Sequence, residues 1–76
     1  MNDDLDRLRM AWQDELDSAA VYRAAAARVA GTPQAEAYRR MAEDETRHAG
    51  ILAERLASRG AAPGRAQPSL RGRVMV

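Results

Sequence analysis

Three side chains in this 76-residue sequence have the types and spacing of metal ligands: Glu15, and Glu45 with His48 in a Glu-x-x-His step. Two carboxylates and an imidazole form a hard-to-borderline oxygen and nitrogen donor set that suits Fe, Mn or Zn. On a helix, residues three apart lie one above the other on one face, so Glu45 and His48 would present their donors together. A single pair of this kind arises by chance in many helices, and a lone His is more often a structural residue satisfied by its neighbours. Where the three sit relative to the core therefore decides what they mean.

The chain around them reads as two helices. Residues 3–30 contain no Gly or Pro, are dense in Ala, Leu, Arg, Asp and Glu, and follow an Asn2-Asp3-Asp4 cluster suited to capping and to the helix dipole. Gly31 stops this helix, and Thr32-Pro33 supplies an N-cap followed by Pro at the first helical position, where its missing N–H does no harm. The second helix is predicted to run to about Arg59, with Gly60 as its stop and Pro63 and Pro68 preventing resumption. Glu36/Arg40 and Glu43/Arg47, acid first at i, i+4, fit a solvated outer face. So short a connection requires an antiparallel hairpin, each helix about 40 Å long at 1.5 Å per residue.

Steps of three and four along the first helix pick out Leu5, Leu8, Trp12, Glu15, Ala19, Tyr22, Ala26 and Val29 as the seam. The second helix gives Tyr38, Met41, Glu45, His48, Leu52 and Leu56, with Ala42 and Ala49 alongside. Glu15, Glu45 and His48 thus interrupt a core stripe, where an unpartnered carboxylate would cost several kcal/mol or take up a proton. If the turn is centred between Gly31 and Thr32, residues level with one another have numbers that sum to 63, as 15 and 48 do. All three side chains would then meet at one height near the middle of both helices. Three protein ligands make half of a dinuclear site. A two-fold related hairpin would add the same three, giving the four Glu and two His of carboxylate di-iron four-helix bundles.

Composition narrows the alternatives. A chain this short buries little core and usually needs a staple. Without Cys it has no disulfide, thiolate zinc site, iron–sulfur cluster or thiol nucleophile, which leaves a metal, oligomerisation or both. The basic residues are 12 Arg against 11 acids. They are interspersed with acids up to residue 60, without a basic stripe or stacking aromatics, so nucleic acid is not an expected partner. No apolar run approaches a membrane span and the N-terminus is acidic, so neither a transmembrane segment nor a signal peptide is predicted. Residues 61–76 are rich in Pro, Gly and Arg and read as a flexible linker or tail after a hairpin domain at 1–60. Ending on Val74-Met75-Val76 without structural closure, the chain reads as cut from something longer. Arg65, Arg71 and Arg73 fit either a solvated linker or a basic juxtamembrane stretch.

Glu15, then Tyr22, then Glu45-Thr46-Arg47-His48 resembles the ferritin-like superfamily over roughly residues 8 to 60. Within it the sequence is similar to the single-hairpin rubrerythrin-like domain that precedes vacuolar-iron-transporter-type membrane domains, and to the encapsulated ferritins. The resemblance implies an all-α hairpin that dimerises into a four-helix bundle with a di-iron ferroxidase centre at the interface. It implies Glu45 bridging two irons, Glu15 and His48 as terminal or chelating ligands, Tyr22 in the surrounding shell, and Asp14 and Asp17 at a metal-access site. It also implies a cytoplasmic setting, with a following membrane transporter domain or an encapsulin shell and its lumen as partner. The sequence departs from ordinary rubrerythrins, which carry four helices, a further Glu and a four-cysteine rubredoxin module. The absence of these residues counts against rubredoxin-mediated peroxidase chemistry, and the tail offers no recognisable encapsulin address.

The residues also support plainer readings. Glu15, Glu45 and His48 could pair with Arg or one another in a helical dimerisation module, or bind metal as a sensor or buffer without turnover. Tyr22 could be a seam aromatic, Trp12 and Tyr38 packing residues, Met41 core filler, and Asp14 and Asp17 solvated charges. The outer Ala20, Ala24 and Ala27 fit either helix propensity or contact with further subunits.

Overall fold

The computed structural model describes residues 3–63, which form two helices, α1 (Asp3–Arg28) and α2 (Pro33–Ser58), folded back antiparallel on each other; no strand occurs among the described residues. Asn2 of the capping cluster, Pro68, the basic positions Arg65, Arg71 and Arg73, and the closing Val74-Met75-Val76 lie outside the described residues. Each helix has 26 residues and is about 39 Å long. Neither is long and apolar enough to cross a membrane.

The turn is built as its residue types predict. Gly31 has φ +85°, a backbone conformation that costs glycine nothing. The Thr32 hydroxyl donates to the Val29 carbonyl at 2.6 Å and accepts from the Ala35 N–H at 3.3 Å, closing the end of α1 and opening α2. At the other end Gly60 (φ +75°) completes a two-bond cap, its N–H donating to the Ala57 carbonyl at 3.0 Å and that of Ala61 to the Leu56 carbonyl at 2.9 Å. The chain does not leave freely from this cap. Ala61 and Pro63 are half-buried, and the Ala62 carbonyl accepts from Arg9 Nε of α1 at 3.2 Å.

The buried seam consists of Trp12, Ala19 and Ala26 on α1 against Ala35, Ala42, Ala49 and Leu56 on α2, seven residues apart on each helix. On α1 this is the expected stripe. On α2 it is rotated: Ala42 and Ala49 hold the centre, while Met41 is 41% exposed and His48 lies at the edge. Alanine occupies the centre because it lets the two backbones approach, and close approach multiplies dispersion contacts. Met41, one position off the Ala35–Ala42–Ala49 stripe, faces outward and is not core filler. The surface ion pairs also differ from the expected ones. They form at i, i+3, between Glu36 and Arg39 and between Asp44 and Arg47, both at 2.9 Å.

Candidate metal centre

Glu15 and Glu45 lie beside the buried seam, Glu15 between the layers of Trp12 and Ala19 and Glu45 between those of Ala42 and Ala49. Both side chains remain partly exposed, 25% and 22%, and meet the half-exposed His48 at the hairpin's edge. His48 Nδ1 lies 3.1 Å from Glu15 Oε2 and 3.3 Å from Glu45 Oε1. One donor atom from each of the three residues falls within 4.8 Å of the others. Glu15 and His48 therefore stand level, as the turn-centred register requires.

These distances fit a shared ion. Two donors about 2.1 Å from one cation and at right angles to each other lie about 3 Å apart, close to both imidazole–carboxylate separations. The donor set suits the borderline divalent metals, and the imidazole already turns Nδ1 toward both acids. Among the described residues these three are the group with such geometry.

The electrostatics reflect the crowding. Partial burial, the largest influence, and the Glu45 carboxylate beside it push the Glu15 carboxyl above its ordinary range, while the hydrogen bond and charge of His48 pull it back. Two acids held side by side with one imidazole between them favour a cation or a proton at that point.

Tyr22 stands beside the candidate ligands. It lines a shallow cleft of about 210 Å³ with Met41, Asp44, Glu45 and His48, and its ring stacks on Tyr38 with centroids 6.3 Å apart. Trp12 packs in the seam. Asp14 is exposed, whereas Asp17 is buried at 4% exposure and accepts a hydrogen bond from Gln13 Nε2 at 3.1 Å. The reading of Asp17 as a solvated charge is thus corrected. At about 100° per residue Asp17 lies on the far side of α1 from Glu15, and neither aspartate belongs to the converging group. The sequence reading missed Asp44 as a cleft residue, although its i, i+4 step to His48 places it there.

Comparison with protein families matches residues 6–73 to the model described as rubrerythrin. The matched span runs past residue 60 into the segment whose composition reads as a linker. A search of curated proteins found no match, and neither did a search of solved structures.

Proposed function

The chain belongs to the rubrerythrin family, and on that premise we propose that it takes up iron through Glu15, Glu45 and His48 and oxidises Fe(II) in a centre completed by a second copy of the hairpin. The observation behind this reading is the convergence of only three ligands on an open edge. A two-fold axis beside that edge would double them to the four Glu and two His that hold a dinuclear centre in helical bundles. Glu45 would bridge the two ions, with Glu15 and His48 as terminal or chelating ligands. Mn or Zn could occupy the same donors.

Fe(II) is the substrate. Two Fe(II), one O2 and two protons yield two Fe(III) and one hydrogen peroxide. The chain's own part is to hold the ligands close before metal arrives and to stabilise the more highly charged product with carboxylates. Tyr22 shapes the wall of the cleft beside Glu45 and His48. The product would pass to storage or transport, in a following membrane domain or an encapsulin shell.

Native mass spectrometry during metal titration tests metal number and subunit number together. The expected result is two ions per dimer, lost in Glu45→Ala and His48→Ala, with Fe(II) oxidation in air faster than in protein-free buffer. Binding with an oxidation rate equal to buffer would remove the catalytic step and leave a metal-buffering or sensing domain. A dimer mass and melting temperature indifferent to metal would favour a helical dimerisation module instead.

A further inference from the structure

The open end of the hairpin, away from the turn, carries a groove of about 520 Å³. Arg7 of α1 forms one wall, Arg55 of α2 and Arg59 at its cap form the other, and Leu8 and Ala11 lie between them. We propose that this groove binds a multivalent oxyanion, its phosphate or carboxylate oxygens clamped by the three guanidiniums.

These arginines differ from others in the molecule. Arg9, Arg39 and Arg47 each pair with the acid three residues before them, Asp6, Glu36 and Asp44. Arg7 has Asp4 at the same spacing and in the same groove, yet no ion pair joins them among the described contacts. Arg55 and Arg59 stand at i, i+4 on one helix face, a like-charge pair that repels, and neither has an acid three or four residues away. The helix dipole does not account for the set. It favours cations at the end of α2, but the Leu56 and Ala57 carbonyls there are already bonded by the cap, and the Arg55 carbonyl accepts from Ser58 Oγ at 2.8 Å. Arg7 lies near the start of α1, where the dipole favours acids.

Three cations against the one carboxylate of Asp4 leave the groove with a surplus of two positive charges, which a dianion or trianion would balance. Guanidinium forks bind carboxylate and phosphate oxygens bidentately, and the volume falls in the range of small-ligand sites. Leu8 and Ala11 offer an apolar surface for the body of such a ligand.

Leu8 and Arg55 lie seven residues from Glu15 and His48, two turns or about 10.5 Å along the same edge. An oxyanion bound there would be a neighbour of the metal centre without being one of its ligands, and the inference holds whether or not that centre oxidises iron.

Isothermal titration of the metal-free protein with citrate and, separately, with inorganic phosphate tests the proposal, against sodium chloride at matched ionic strength. Saturable binding of either probe is expected, weakened at least tenfold in Arg55→Gln/Arg59→Gln and unchanged in Arg39→Gln. Tighter citrate binding would identify a polycarboxylate as the preferred class, and tighter phosphate binding a phosphate. Because the double variant removes a repelling pair, its melting temperature should equal or exceed that of the parent, so lost binding would not be lost folding. Heat no greater than that of chloride, or equal affinity in the double variant, would overturn the proposal.

Discussion

Ala19 and Ala42 lie on the same helical stripes as Glu15 and Glu45, yet the two stretches of seam meet their partner helix in opposite ways. At the alanines the backbones close up and the side chains disappear from solvent. The two glutamates instead remain partly exposed and meet His48 at one edge. One stretch gains stability from the closeness of the helices. The other stays at the edge and forms the candidate ligand cluster. The candidate site therefore borders the packed core and does not lie within it.

This division can be tested by perturbing each stretch. The largest effect is expected at the apolar end of the seam, where Leu56 is fully buried. Leu56→Ala should lower unfolding free energy by about 2 to 5 kcal/mol in chemical denaturation. A loss below about 1 kcal/mol would mean that the seam is not what holds the hairpin. Thr32→Ala removes the α2 cap, which belongs to neither stretch. It should cost about 1 kcal/mol, equally with and without bound metal. An unequal cost would show that the turn and the ligand cluster are coupled.

The smallest effect is expected from Glu15→Gln in metal-free protein, read as melting temperature against pH. The Glu15 carboxyl is raised in the folded state by burial and by Glu45. Its contribution to stability is therefore full at acid pH, below the ordinary carboxylate range, and is lost as pH rises through the raised value. The glutamine variant should melt with the parent in acid and above it near neutrality. A variant less stable than the parent at neutral pH would show that the ionised Glu15 supports the fold, contrary to the division drawn here.

The two helix spans could be read from punctuation alone, because Gly31, Thr32-Pro33 and Gly60 each have a single good place in a helical chain. Centring the turn between Gly31 and Thr32 was enough to set Glu15 level with His48. The rotation of α2 was less legible. Tyr38, Met41, Glu45 and Leu52 recur at helical spacing just as Ala42 and Ala49 do, and hydrophobic periodicity does not weigh the benefit of small size at a close contact. The burial of Asp17 was hidden for a related reason. It lies on the far side of α1 from the seam, where a pattern built from one helix facing another predicts only solvent. The three candidate ligands were legible because they broke the pattern; the three groove arginines were not, because arginine on a helix exterior breaks none.

Ala35, Ala42 and Ala49 offer nearly the same surface to α1, so sliding α2 by seven residues would rebuild much of the seam while carrying His48 about 10.5 Å from Glu15. Such slippage is limited by the connector, Val29–Thr32, whose hydroxyl and backbone bonds leave no slack. A single residue inserted there would leave two intact helices with mismatched donors. Four residues thus act as a gauge block, fixing a coincidence of side chains some 24 Å away, sixteen helical steps beyond Thr32.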